Sequence, residues 1–253
     1  MGKLNGRVAI VTGAAGGIGS AAAIRFAEEG AQLVLTDIVG DRLEEVTRQA
    51  RDRGAEVVPV IGDVTSADHV AAVIRAAVDA FGQIDVLANI AQGGMDEHTY
   101  LADTTAEISE RAWRGGPIQT MLFMQQAFPF MRERGYGRII NTGSASAVFG
   151  IAGFTAYEMA KSAVQVLTRN AAREWARHGI VTNTFLPVIR TPAFDLTEQG
   201  RQAAENMAVS NPTRRFGTAY EDCAPVLVFL ASEDAGYVNG QTIGVDGGAH
   251  IFA

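Results

Sequence analysis

The chain has 253 residues, 47% of them hydrophobic and 19% charged, which supports a large buried core and excludes collagen-like, low-complexity and disordered classes. A formal net charge of -7 and a pI near 5.1 oppose the positive field that nucleic acid or an anionic membrane attracts, so neither is an expected partner. The lone cysteine, Cys223, excludes an internal disulfide, and His69, His98, His178 and His250 lack metal-ligand spacing, so no structural metal is expected.

In chain order, the N-terminal residues are too few and too polar for a signal or membrane segment, and Gly6 stands where myristoylation of Gly2 requires Ser or Thr. A cytoplasmic, reducing setting is the expectation. Val8–Val11 then reads as a buried strand closed by glycines, and Ile18–Glu29 as a helix with Ile18, Ala22 and Phe26 on one face. Leu33–Thr36 and Glu56–Val60 read as strands around a charged helix over Asp41–Arg53. Ala67–Phe81 reads as a helix stopped by Gly82, Val86–Ala88 as a fourth strand, Gly116–Arg134 as a helix and Arg138–Asn141 as a fifth strand. Ala156–Arg177 is helical, Ile180–Phe185 a sixth strand, Glu221–Ala231 a helix and Thr242–Val245 the last strand.

Apolar strands separated by amphipathic helices are what a parallel sheet covered on both faces requires. The expected fold is one doubly wound α/β domain over residues 1–253, with no linker or repeat. The least regular stretches, Gln92–Gly115 and Pro187–Gly217, follow strands, where open α/β sheets place their ligands.

Thr12-Gly13-Ala14-Ala15-Gly16-Gly17-Ile18-Gly19 joins the first strand to the first helix, so its backbone can approach a pyrophosphate at a helix N-terminus. Asp37 ends the second strand 18 residues after Gly19, close to the ~20 at which an acid reaches an adenosine ribose. A carboxylate there accepts bonds from the ribose hydroxyls and repels a 2′-phosphate. No Arg or Lys lies within the turn or just after Asp37, Arg42 being the nearest, and the pattern therefore favours NAD over NADP.

The chain has two lysines against nineteen arginines, and Lys161 falls four residues after Tyr157 on a predicted helix, on the same face. A phenol near pKa 10 shuttles protons poorly at neutral pH until a nearby cation steadies its phenolate. Ser144 follows the fifth strand at the sheet edge where the glycine turn also opens, in reach of a substrate oxygen. Together the three residues outline general acid–base catalysis beside a hydride acceptor.

With these motifs in this order, the chain resembles the short-chain dehydrogenase/reductase family from Gly6 to Gly248. The resemblance implies a Rossmann-type fold. It makes Tyr157 the general acid or base, Lys161 the group that lowers the Tyr157 pKa and binds the nicotinamide ribose, and Ser144 the residue that orients the substrate oxygen. It assigns Gly13, Gly17, Ile18 and Gly19 to the phosphate turn, Asp63 and Val64 to the adenine ring, Asn89 to the segment after strand four, and Pro187, Ile189 and Thr191 to the nicotinamide carboxamide. Val245-Asp246-Gly247-Gly248 resembles the family's C-terminal signature.

Three departures accompany the resemblance. Where the family has Asn-Asn-Ala-Gly this chain has Asn89-Ile90-Ala91-Gln92, and Val188 replaces the glycine usual after Pro187. The position of the family's catalytic asparagine falls at Gly116, so a water or Gln119, about one turn on, is expected to complete the proton relay.

Met95, Phe149, Phe154, Met159, Phe194 and Met207 are candidates to face a small, lipophilic or cyclic substrate, under a lid around 191–215. Asp96, Glu97 and His98 could meet a polar group on it. The family implies a dimer or tetramer, with which the apolar tail Ile251-Phe252-Ala253 is compatible. The expected activity is interconversion of a secondary alcohol and a ketone with NAD(H). The rivals are a catalytically weak NAD(H)-binding sensor or scaffold of the same fold, and a family member running other chemistry such as dehalogenation or epimerisation.

Overall fold

The computed structural model describes residues 2–93, 99–190, 192–195 and 197–250. Its β-branched and leucine-rich runs form seven strands: β1 (Val8–Thr12), β2 (Gln32–Asp37), β3 (Val57–Ile61), β4 (Val86–Asn89), β5 (Gly137–Thr142), β6 (Ile180–Pro187) and β7 (Thr242–Val245). They lie in the order β3-β2-β1-β4-β5-β6-β7, with every pairing parallel. The chain winds outward from β1 to β3 and returns to β4 on the other side of β1. The carboxyl ends of β1 and β4 therefore diverge at a crevice, the switch point where such sheets bind ligands.

Between the strands run α1 (Gly17–Glu28), α2 (Gly40–Arg51), α3 (Ala67–Phe81), α4 (Ala106–Trp113), α5 (Gln119–Arg134), α6 (Ser146–Phe149), α7 (Thr155–Trp175), α8 (Glu198–Ser210) and α9 (Ala224–Ala231). Ala22 and Phe26 of α1, Leu43 of α2 and Leu227 of α9 pack on one face of the sheet. On the other lie Val70 of α3, Phe123 of α5 and Ala171 of α7. Both faces are covered, which is why β1 is buried at all five positions and β6 at all but its last.

Apart from the single turn of α6, the element pattern differs from the sequence reading chiefly in two stretches. α4 lies inside the expected irregular segment 92–115, and the helical path continues through a π-helical turn, Arg114–Ile118, into α5. Pro117 has no N–H to give the regular helical bond, and the widened turn with Gly115 and Gly116 carries the helix past it. Gly-Gly-Pro hid this continuity. α8 lies inside the segment 187–217, capped by the Thr197 hydroxyl, and only Ala204 of it is buried, so it carries no apolar stripe to announce it. Among the described residues no helix is long and apolar enough to cross a membrane. None of them form a group of three or more metal-ligating side chains.

Candidate active site

The turn from β1 to α1 is shaped by glycine at two contacts. Gly13 has φ +67°, and a Cβ on it would lie 2.9 Å from the backbone of Ala91. A Cβ on Gly19 would lie 2.0 Å from the Gly13 carbonyl oxygen, so a side chain there would prise the helix off the turn. α1 begins after Gly16 with no side-chain cap, leaving its first amides to a ligand.

Asp37 faces this turn from the end of β2. One carboxylate oxygen accepts the Ala15 N–H and the other the Val39 N–H, each over 3.0 Å. Those bonds orient the group and leave a lone pair on each oxygen for a ribose hydroxyl. At the end of β3, a Cβ on Gly62 would lie 2.3 Å from the His69 ring, whose Nε2 is 2.8 Å from the Thr36 hydroxyl. Burial lowers the His69 pKa against the pull of Asp63, so the ring serves as a neutral prop behind the pocket. His69 is a residue the sequence reading missed; its partner Thr36 and the tight glycine appear only in three dimensions. Gly13, Gly17, Ile18, Gly19, Asp37, Asp63 and Val64 come together around a cavity of about 640 Å³. The glycine cradle, the oriented carboxylate and this volume fit a dinucleotide.

Threonines lace the carboxyl edge of the sheet together. The Thr12 hydroxyl accepts the N–H groups of Ile90 and Ala91, each over 3.0 Å. The Thr142 hydroxyl donates to the Asn89 carbonyl over 2.9 Å, and the Thr142 carbonyl accepts Lys161 Nζ over 2.8 Å. This chain of bonds ties the glycine turn to the helix of the catalytic candidates. Asn89 itself is buried, its Nδ2 donating to Asn141 Oδ1 over 2.8 Å, and Asn141 donates onward to Thr168 over 2.9 Å. Asn89 therefore fastens β4 to β5 and α7.

Ser144 follows β5, and its Oγ pairs with Ser146 Oγ over 2.8 Å, a second hydroxyl not singled out by the sequence. Tyr157 and Lys161 stand one turn apart on α7, Nζ lying 5.7 Å from the centre of the tyrosine ring. The Phe154 ring meets Tyr157 edge-on at 6.3 Å. Burial raises the Tyr157 pKa and Glu158 adds to it, while the Ser144 hydroxyl acts the other way. Burial also pushes the Lys161 ammonium down to about 7. The same desolvation penalises both charged forms, so it opposes the lowering of Tyr157 that the resemblance implies.

Pro187 ends β6 opposite Val245, and the Val188 N–H donates to the Val245 carbonyl over 3.0 Å. Ile189 is buried in the core cluster. Val188 and Ile189 line a second cavity of about 230 Å³ with Asp246 and Gly247. Of the substrate-facing candidates, Phe149 stacks on His250 at 5.0 Å and Phe194 meets Phe216 at 5.3 Å, while Met159 and Met207 are exposed. Thr191, Met95 to His98 and the tail 251–253 lie outside the described residues. Gln119 is buried and donates to the Ala91 carbonyl over 3.1 Å and to Thr120 Oγ1 over 3.3 Å, holding the segment after β4.

The chain matches, over residues 13–250, the model of a family described as enoyl-(acyl carrier protein) reductase. Levodione reductase of Leifsonia aquatica is 36% identical over 260 residues, covering 97% of this chain and 95% of that protein. A crystal structure of levodione reductase superposes with a TM-score of 0.91 at 33% identity, covering 97% of this chain and 98% of the other. A 7α-hydroxysteroid dehydrogenase complexed with NADH and 7-oxo glycochenodeoxycholic acid superposes with a TM-score of 0.90 at 31% identity, over 97% of this chain and 95% of the other. Fold and sequence agree with these relatives over 97% of the chain, which belongs to the short-chain dehydrogenase/reductase family of nicotinamide-dependent oxidoreductases.

Proposed function

We propose that the chain is an NAD(H)-dependent oxidoreductase that interconverts a secondary alcohol and a ketone on a lipophilic or cyclic small molecule. The observation that carries the reading is the half-buried Tyr157 set against the buried Lys161, with Ser144 beside it, at the sheet edge that the threonine links tie to the glycine turn. A binding-only protein gains nothing from an ionisable pair held out of water at that place.

The bound nicotinamide supplies or accepts the hydride. In reduction the Tyr157 phenol, which burial keeps protonated at neutral pH, gives its proton to the carbonyl oxygen, and in oxidation its phenolate takes the alcohol proton. The Ser144 hydroxyl donates a hydrogen bond to the same oxygen, and Ser146 sets its rotamer. Lys161, anchored on the Thr142 carbonyl, steadies the phenolate and holds the nicotinamide ribose. Gly13, Gly17, Ile18 and Gly19 hold the pyrophosphate, Asp37 the adenosine ribose, and Asp63 and Val64 the adenine. Asn89 supports the cofactor from the end of β4, and Pro187, the backbone of Ile189 and Thr191 hold the carboxamide.

NAD is favoured over NADP because the Asp37 carboxylate would face a 2′-phosphate, and Arg42 is exposed on α2. The ring of Phe154 meets Tyr157 edge-on and the exposed Phe149 stacks on His250, apolar surface that supports a lipophilic substrate, in keeping with relatives named for a dione and for steroids. The segment around 191–215 is the lid, and the working form is a cytoplasmic homodimer or homotetramer.

The test is NADH and NADPH consumption by the purified protein against aliphatic, cyclic and aromatic ketones. NADH should be consumed with a cyclic or other lipophilic ketone, and Tyr157→Phe should cut turnover about 10²–10⁴-fold, the usual worth of a general acid. NADH binding without reduction of any ketone, or a Tyr157→Phe variant as active as the parent, would support the sensor reading instead.

A further inference from the structure

Two positions that depart from the family pattern touch each other. Gly115, Gly116 and Pro117 are buried in the π-helical turn between α4 and α5. A Cβ on Gly115 would lie 2.6 Å from the Gly93 carbonyl carbon, and the Gly93 N–H donates to the Gly115 carbonyl over 3.1 Å. The segment leaving β4 is thus laid directly on the turn. A Cβ on Gly116 would lie 3.2 Å from Gln92 Oε1, 3.4 Å from Gln92 Nε2 and 3.4 Å from the Ala160 Cβ. The Gln92 carboxamide fills the space a side chain at 116 would take, against the turn of α7 that carries Lys161.

The orientation of that carboxamide is fixed. Nε2 donates to the Gly93 carbonyl over 2.7 Å, and Oε1 is buried with no donor among the described residues. A buried carboxamide oxygen is costly to leave unmatched. Donors stand on the residue after Ala160: the buried Lys161 ammonium has three N–H groups and gives one to the Thr142 carbonyl over 2.8 Å. Gln119 nearby has a buried Oε1 without a donor as well, but it neither borders the cavity nor lies at the Gly116–Ala160 contact, whereas Gln92 does both.

Building on the roles given above to Tyr157 and Lys161, we propose that Gln92 is a positioning residue of the proton-transfer site. From the space left by Gly116, its Oε1 accepts a hydrogen bond passed on by one water from the Lys161 ammonium, and it steadies the charged form on which Tyr157 depends. A polar pocket with an acceptor on one side and a donor on the other is where a buried water is retained. Tyr157 is the titratable side chain set against this ammonium, and among the described residues no carboxylate acts on it.

The chain makes a direct test possible, because it has only two lysines. Selective isotope labelling of lysine gives two side-chain NMR signals, and Lys3→Arg identifies that of Lys161. Gln92→Leu, which keeps the bulk and removes the acceptor, should lower the Lys161 titration midpoint by about one unit, the order expected for a lost bond to a charged group. Gln92→Glu, which keeps an acceptor and adds charge, should raise it. Thermal unfolding serves as the folding control, and Gln92→Met replaces Gln92→Leu should the latter not fold. With an active ketone, Gln92→Leu should also lower kcat about ten-fold while the NADH Kd stays within about three-fold, a split that a merely structural defect does not produce.

A Lys161 midpoint unmoved in both Gln92→Leu and Gln92→Glu overturns the proposal, whatever the activity. Midpoints that move as expected in a protein that reduces no ketone uphold the role of Gln92 and count against the functional reading.

Discussion

The two ends of the cofactor crevice are built differently. At the nucleotide end, backbone does most of the shaping: Gly13 and Gly19 admit no Cβ, and both Asp37 oxygens are steered by main-chain N–H groups. At the junction of β4 with the α4–α5 break, side-chain amides do it. Asn89, Gln92 and Gln119 each hold a buried carboxamide oxygen there that has no donor among the described residues. A backbone-built site tolerates no added atoms and leaves a fixed mark in sequence. An amide-built site is adjustable, and residues far apart in sequence can exchange the work, as Gln92 and Gly116 do.

The same substitution at a glycine from each end breaks or sharpens this contrast most strongly. Gly19→Ala sets a methyl 2.0 Å from a backbone oxygen that cannot step aside, and it should raise the NADH Kd more than about 100-fold by titration calorimetry. Gly116→Ala meets the end of the flexible Gln92 side chain at 3.2 Å and only grazes the Ala160 Cβ at 3.4 Å, and the NADH Kd should stay within about three-fold. Equal losses in the two variants would show that the junction is as rigid as the turn.

Next in size is cofactor choice. Asp37→Ser removes the charge that would face a 2′-phosphate, and the ratio of kcat/KM for NADH over NADPH should fall about 10–100-fold. An unchanged ratio would place the discrimination elsewhere.

The fold could be read almost completely, because buried parallel strands write apolar runs and amphipathic helices write a 3.6-residue period. What escaped were α8, whose one buried residue, Ala204, leaves no stripe, α4, hidden before Gly-Gly-Pro, and the four-residue α6, too short to show a period. The candidate site was legible where chemistry demands one residue type: the glycine turn, Asp37, and Tyr157 with Lys161. The threonine links through Thr12 and Thr142, the neutral prop His69 and the Gln92–Gly116 contact join segments far apart in sequence, and no local pattern encodes such contacts. Gln119, or a second water, was the expected substitute for the missing asparagine; the Gln119 amide N–H fastens the Ala91 backbone.

Smaller effects follow. Gly116→Asn must push the Gln92 amide from its place, so kcat should fall about three- to ten-fold rather than rise. A gain in kcat would show that Gln92 does not supply the missing group. The pH dependence separates the two groups: burial raises the Tyr157 pKa, so the phenol stays protonated across the neutral range, and the change in ketone reduction between about pH 6 and 8 should follow loss of the Lys161 charge, which burial pushes down to about 7. Alcohol oxidation needs the phenolate and should quicken as pH rises towards about 10, as initial rates in both directions will tell.

The most direct measurement is isotope transfer. NADH carrying deuterium at the reactive nicotinamide carbon is incubated with the protein and a cyclic ketone, and the alcohol is analysed by mass spectrometry. The account predicts an alcohol with deuterium on the carbinol carbon, formed by the parent protein and nearly abolished in Tyr157→Phe. Alcohol formed without deuterium, or labelled alcohol formed equally by both proteins, would contradict it.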